Sequence, residues 1–136
     1  MDLDEARDFL RQHHRAVLHT HREDGSPQLS PITVGVDDDG LAVVSTRETA
    51  VKVRNLERDP RASLCVFTEA FFGPWIRIDG NTTIVRGEDA IEPLVDYYRR
   101  VSGEHPDWDE YRDAMRRDRR VLLRIALASA GPDVAG

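Results

Sequence analysis

Short segments with a two-residue alternation, joined by tight turns, dominate the first half of the sequence. Residues 15–22 alternate between two faces, with Val17 and His19 on one and Leu18 on the other, which predicts a strand. Asp24-Gly25 is a strong hairpin signal, so the next strand, predicted at residues 28–36, should return antiparallel to the first. Such hairpins favour an antiparallel β fold over a parallel α/β fold.

The rest of the pattern adds further strands and a few helices. We predict strands at 41–45, 61–68, 75–86 (with a bulge at Gly80) and 121–126, and helices at 3–13, 49–58, 90–101 and 108–117. About six antiparallel strands without a βαβ rhythm predict a closed or partly closed β-barrel, mainly β within the α+β class, with flanking helices. We expect one domain over residues 1–136, with about 131–136 as a flexible tail.

Length and charge limit the classes of function. A chain of 136 residues cannot enclose a large ligand, so a cofactor would lie in a surface cleft or between two subunits. The formal net charge of −6 argues against general nucleic-acid binding. The sequence contains no apolar run long enough for a membrane span, and its acidic N-terminus does not have the pattern of a signal peptide. We therefore expect a cytoplasmic protein with neither nucleic acid nor membrane as a partner.

The segment from Val44 to Leu56 is the strongest candidate for a binding site. A predicted strand ends in the polar residues Ser45, Thr46 and Arg47, and a helix containing Lys52 follows at once. Lys52 is the only lysine among 19 basic residues. Helix N-termini with free N–H groups bind phosphate, and a basic side chain one turn into the helix can reach back toward them. A capped surface helix with solvated basic residues explains the same pattern.

Two other segments could wall a flat ligand. The strand Gln28-Leu29-Ser30-Pro31-Ile32 contains a proline, which marks an edge or a bulge and leaves backbone groups free for a planar heterocycle. A proline that protects an ordinary edge strand fits equally well. Trp75 and Arg77 share one face of a later strand, where they could contact a flat ring or pack in the core or a dimer contact.

Histidines and catalytic motifs give no positive signal. No carboxylate or cysteine stands at a ligand spacing from His19 and His21, so no metal site is predicted. The sequence has no dinucleotide-binding glycine motif, phosphate loop or nucleophile elbow, and we name no catalytic residue.

In these segments and their order the chain resembles the pyridoxamine 5′-phosphate oxidase-like family, and within it the branch that uses the deazaflavin coenzyme F-420. The resemblance covers nearly the whole chain. It is carried by Asp24-Gly25-Ser26-Pro27-Gln28-Leu29-Ser30, by residues 52–63 ending in Asp59-Pro60-Arg61-Ala62-Ser63, by Gly103-Glu104-His105-Pro106-Asp107-Trp108, and by Asp118-Arg119-Arg120-Val121.

The resemblance implies a six-stranded split β-barrel of the FMN-binding type, assembled as a homodimer with cofactor sites at the subunit interface. Carried over to this sequence, it places the cofactor phosphate at Lys52, with Ser45, Thr46 and Arg47 nearby, and includes Val51 among the cofactor-binding residues. Gln28, Ser30, Pro31 and Ile32 would run along the ring system. Trp75 and Arg77 would close the site, from either subunit.

The implied activity is hydride transfer from reduced coenzyme F-420 to a small unsaturated acceptor, without a protein nucleophile. Three alternatives stay open: an FMN-dependent enzyme of the same fold, a carrier of a flavin, deazaflavin or tetrapyrrole without turnover, and a structural dimer with an empty cleft. Two features differ from relatives, which often carry a basic residue where this chain has Ala50 and usually continue past Pro132 with an aromatic segment.

Overall fold

The computed structural model describes residues 1–132. Over that range the strands are Arg15–His21 (β1), Pro27–Thr33 (β2), Gly35–Val36 (β3), Ala42–Arg47 (β4), Arg61–Phe67 (β5), Trp75–Val85 (β6) and Arg120–Gly131 (β7). The α-helices are Leu3–Gln12 (α1), Val51–Arg58 (α2), Ile91–Ser102 (α3) and Trp108–Arg117 (α4), and a short 3-10 helix, Gly87–Ala90, precedes α3.

The connection between β2 and β3 shows that the sheet curls into a partly closed barrel. The strands form one antiparallel sheet in the order β2-β1-β5-β6-β7-β4-β3, so β2 and β3 are its opposite edges. Seven strands laid flat would separate those edges by about 29 Å, at about 4.8 Å per spacing. Only Val34 lies between β2 and β3 along the chain. The sheet must therefore curl until these edges lie close together, which confirms the predicted barrel.

The predicted strand at 28–36 is in fact two strands, which raises the strand number from six to seven. Val34 leaves the ladder, its N–H donates to the carbonyl of His14 at 2.8 Å, and its own carbonyl lies 2.9 Å from Nδ1 of His14. Gly35 and Val36 then pair with β4 instead of β1. The apolar pattern runs through this switch unbroken, because Val34, Gly35 and Val36 are all buried.

The bulge predicted at Gly80 is confirmed, and the last strand is longer than predicted. The register of β6 and β7 shifts between Asp79 and Gly80, where a Cβ on Gly80 would lie 2.3 Å from the carbonyl oxygen of Ala126. β7 continues past Ala126 to Gly131, which pairs with Arg77. The sequence pattern did not predict this extension because most of its residues are small. Of the predicted tail, Gly131 belongs to β7 and residues 133–136 lie outside the described residues.

Two apolar clusters fix the helices on the barrel. The larger fills the barrel interior, where α1 contributes Ala6 and Leu10 and α2 contributes Val53 and Leu56. The smaller lies between α3, α4 and the outer face of β4 and β7. α2 is thus anchored in the interior by its buried face, and its N-terminus stays at the barrel rim. Among the described residues, no helix is long and apolar enough to cross a membrane.

Candidate functional site

A cleft of about 450 Å³, here called the Lys52 cleft, opens where the rim of the barrel meets α3 and α4. The ends of β2 and β4 and the first turn of α2 form one wall, while α3, α4 and the start of β7 form the other. The cleft is lined by Pro31, Ile32, Thr33, Ser45, Thr46, Lys52, Tyr97, Tyr98, Val101, Ser102, Tyr111, Met115 and Arg120. No aspartate or glutamate belongs to this described lining.

The N-terminus of α2 has no side-chain cap. Its N-cap residue, Ala50, makes no side-chain hydrogen bond to the helix, and the first turn carries no acidic residue. By contrast, Asp2 caps α1 and Asp107 caps α4, each accepting a backbone N–H. Free N–H groups and the partial positive charge of a helix N-terminus favour an anion. α2 therefore offers the cleft donors that α1 and α4 satisfy with a capping aspartate.

Lys52 and Arg120 place two positive charges in the cleft without a carboxylate beside them. Neither forms an ion pair with any residue in the range 1–132. Burial lowers the pKa of Lys52, and the nearby charge of Arg120 lowers it further. Nε of Arg120 is buried and has no hydrogen-bond partner among the described residues. Because an unpaired buried donor costs free energy, this arrangement fits a ligand that carries negative charge.

Two buried tyrosines form the neutral part of the cleft. The hydroxyl of Tyr97 donates to the carbonyl of Thr33 at 2.9 Å, and that of Tyr111 donates to the carbonyl of Leu94 at 3.0 Å. Burial raises the pKa of Tyr97 and raises the pKa of Tyr111 to about 12. Both phenols are therefore neutral at physiological pH, and neither compensates the charge of Lys52 or Arg120.

The structure brings five of the predicted site residues together in the cleft: Pro31, Ile32, Ser45, Thr46 and Lys52. β2 is an edge strand, as the proline indicated, and within residues 1–132 its single pairing partner is β1. Thr46 is buried at the end of β4, and Ser45 is half-buried beside it. Their role in holding a cofactor stays a prediction.

The side chains of Gln28 and Ser30 do not line the cleft. Gln28 accepts the hydroxyl of Thr20 at 3.0 Å, and Thr20 in turn accepts the amide of buried Asn55 at 3.1 Å. This chain of hydrogen bonds joins β2, β1 and α2, so Gln28 ties together elements that form one wall of the cleft. The Oγ atom of Ser30 is buried without a partner among the described residues.

Arg47 and Val51 lie at the margin of the cleft. Arg47 is exposed at the end of β4, directly opposite Arg120 of β7. Val51 begins α2 and is 54% exposed. Both residues are next to lining residues along the chain, but neither belongs to the lining itself.

Trp75 and Arg77 lie elsewhere in this chain. They share the outer face of β6, as predicted, where they pair with Phe67 and Cys65 of β5. Trp75 lines a separate cavity of about 290 Å³ with Phe71 and other residues of the β5–β6 loop. Neither residue belongs to the lining of the Lys52 cleft in the same chain.

The sequence interpretation missed Tyr97, Tyr111 and Arg120. Helices at 90–101 and 108–117 were expected as flanking elements, without a site assigned to them. Arg120 stands directly before an apolar strand, a position that gives no chemical signal by itself. Only the docking of α3 and α4 against β4 and β7 brings these residues to Lys52.

The comparisons with known proteins agree with this architecture. The family model described as pyridoxamine 5′-phosphate oxidase matches residues 3–131. The chain belongs to this family. The match spans every strand and helix described above, so the split β-barrel resemblance is confirmed at the level of the family.

Solved structures of similar proteins carry several different descriptions. A conserved hypothetical protein from Mycobacterium tuberculosis is 25% identical, with a TM-score of 0.77, and the match covers 100% of this chain and 93% of that one. An F-420 reductase is 17% identical, with a TM-score of 0.70 and coverages of 91% and 94%. A haem storage protein from Vibrio cholerae is 18% identical, with a TM-score of 0.68 and coverages of 96% and 94%. The latter two show a shared fold.

Proposed function

We propose that this protein is a coenzyme F-420-dependent oxidoreductase that transfers a hydride from the reduced deazaflavin to a small unsaturated organic acceptor. The observation that carries the proposal is the pairing of an uncapped helix N-terminus with Lys52 in a cleft whose described lining has no carboxylate. That donor set suits the phosphate of a flavin or deazaflavin. When bound, the cofactor supplies the two-electron chemistry.

The chain's own residues would bind and orient the cofactor. The N–H groups of α2 and the ammonium of Lys52 would hold the phosphate, with the hydroxyls of Ser45 and Thr46 as further donors. Pro31 and Ile32 would flank the ring system along β2. The hydroxyls of Tyr97 and Tyr111 donate hydrogen bonds to backbone carbonyls, and these neutral side chains add no charge to the cleft.

Two considerations favour the deazaflavin over FMN. The segment Gly103-Glu104-His105-Pro106-Asp107-Trp108 resembles the deazaflavin branch, and it leads into α4, which carries Tyr111 of the cleft wall. A protein of the same fold is described as an F-420 reductase. FMN-dependent chemistry on the same cleft is the second candidate. A tetrapyrrole carrier is the third, because a haem storage protein shares the fold.

We further propose a homodimer formed through the outer face of β2, β1, β5 and β6. The helices of the second apolar cluster cover the opposite part of the sheet, on β4 and β7, and leave this face open. Exposed apolar side chains lie on it and on the adjoining β5–β6 loop, including Leu29 at 61%, Phe71 at 73% and Phe72 at 97%. A patch of this kind on a small protein favours association. In a dimer, Trp75 and Arg77 of one subunit could close the cleft of the other.

Fluorescence titration of the purified protein with coenzyme F-420 and FMN, side by side, tests the proposed function. Light scattering beforehand should give twice the mass of the chain. We expect saturable binding with preference for coenzyme F-420, and oxidation of its reduced form when an unsaturated acceptor is added. Preference for FMN would move the chemistry to the second candidate. Tight binding without turnover on any acceptor would favour a carrier, and no binding of either compound would refute the proposal.

A further inference from the structure

Two basic residues line the Lys52 cleft and a third lies at its margin; they come from three different elements, and none has an acidic partner within residues 1–132. Arg47 ends β4, Arg120 begins β7, and Lys52 lies in the first turn of α2. Arg47 and Arg120 are direct cross-strand partners, so their side chains leave the same face of the sheet. Like charges in that position destabilise an antiparallel pair. A bound anion would offset the repulsion between two such charges.

The backbone next to Arg120 is held in an unusual conformation. Arg119 has a φ of 49°, in the left-handed region that favours glycine. Its carbonyl accepts the N–H of Glu48 at 3.0 Å, which ties the start of β7 to the turn that leads into α2. This hydrogen bond links the position of Arg120 to the segment that carries Lys52.

Neighbouring carboxylates do not neutralise Arg120. Glu48 lines the cavity on the far side of Arg120. Its two oxygens, however, accept Nε of Arg86 at 3.0 and 3.1 Å. Ala50, the N-cap of α2, adds no charge to the site. The second positive charge of the cleft, beside that of Lys52, therefore comes from Arg120 of β7.

We propose that Arg120 and Lys52 bind the same phosphate group, so that Arg120 makes the cleft selective for phosphorylated over phosphate-free forms of the cofactor. The buried Nε of Arg120, which has no partner in the described chain, would donate to a phosphate oxygen. Arg47 lies at the open side and contributes a long-range attraction. The inference rests on the proposed function, since it assigns the ligand of the same cleft.

Matched ligand pairs test the role of Arg120. We would measure the affinity of wild type, Arg120→Gln and Arg117→Gln for FMN and riboflavin, and for coenzyme F-420 and its phosphate-free deazaflavin chromophore. Arg117 lies at the exposed end of α4, so its variant removes the same charge outside the cleft. We expect Arg120→Gln to weaken binding of the phosphorylated compounds about tenfold or more and to leave the phosphate-free ones unchanged. Arg117→Gln should change neither by more than about twofold.

An equal loss for both members of a pair, or no loss, would overturn the proposal for Arg120. Unchanged riboflavin affinity also reports that the variant is folded. If none of the four compounds binds wild type, the proposed function fails, and inorganic phosphate then tests the inference separately. In that case the Nε–H resonance of Arg120, identified by its absence in Arg120→Lys, should shift saturably with phosphate in wild type. A resonance that does not move would refute a phosphate site at Arg120.

Discussion

Two cavities of similar size lie on either side of Tyr97, and they differ in how their charges are compensated. The first, here called the Asp37 cavity, measures about 380 Å³, against about 450 Å³ for the Lys52 cleft. In the Asp37 cavity, Arg124 donates to Asp37 at 3.0 Å and to Asp39 at 2.9 Å. In the Lys52 cleft no described lining residue can compensate a cation.

The charges of the Asp37 cavity are paired within the fold, whereas those that we propose for ligand binding in the Lys52 cleft are not. Hydrogen bonds to Asp37 and Asp39 raise the pKa of Arg124, and they join the turn before β4 to β7. Lys52 shows the opposite effect, because burial and Arg120 lower its pKa. A charged lysine is less favourable at this site in the folded protein than in water, and this lowers the free energy of unfolding. We infer that the cost is retained because the site binds an anion.

The largest expected effect is on cofactor binding by Lys52→Ala. Since a charged hydrogen bond contributes about 1.5–3 kcal/mol, affinity for coenzyme F-420 should fall roughly ten- to hundredfold in a fluorescence titration. Arg54→Gln, an exposed position on the same helix, is the matched control and should bind like wild type. Normal folding with unchanged affinity in Lys52→Ala would refute the phosphate role.

Arg124→Gln should lower stability and leave cofactor binding unchanged. Removing the guanidinium leaves Asp37, whose side chain is only 18% exposed, without its ionic partner. We expect the free energy of unfolding to fall by about 1–2 kcal/mol in chemical denaturation, while cofactor affinity stays unchanged. A loss of affinity comparable to that of Lys52→Ala would mean that the two cavities are not functionally distinct.

The same contrast explains what the sequence could and could not predict. Hydroxyl residues at a strand end followed by a helix with Lys52 form one contiguous segment, so local pattern was enough to single out Ser45, Thr46 and Lys52. Pro31 and Ile32 followed from the resemblance and from the edge position that a proline indicates. These five residues do line one cleft.

Residues brought together by tertiary packing were not predictable in this way. Arg120 reaches the cleft only because β7 pairs with β4 in a register that places it opposite Arg47. Tyr97 and Tyr111 depend on how α3 and α4 dock. The split between β2 and β3 was missed for a related reason, because Val34 is buried like a strand residue and only its hydrogen bonds to His14 reveal the switch of partners.

The smallest expected effect is on the pH dependence of stability. Because the pKa of Lys52 is lower in the folded than in the unfolded protein, the unfolded state binds more protons between that lowered value and the ordinary one. Wild-type stability should therefore gain from a rise in pH through this alkaline window, and Lys52→Met should lack that contribution. The raised pKa values of Tyr97 and Tyr111 act in the opposite direction in both proteins, so the difference isolates Lys52.

Denaturation midpoints of wild type and Lys52→Met, measured at matched pH values without cofactor, check this expectation. The stability of wild type should rise relative to that of Lys52→Met as pH increases. Parallel curves would mean that burial and Arg120 do not disfavour the charged lysine, and the contrast with Arg124 would then lose its electrostatic basis.

The most direct measurement is a crystal structure of the protein with coenzyme F-420 bound. The account predicts the cofactor phosphate within about 2.7–3.2 Å of Nζ of Lys52 and of the free N–H groups of α2, with the ring system along β2. A phosphate in the Asp37 cavity, or a cofactor seated elsewhere with the Lys52 cleft empty, would contradict it.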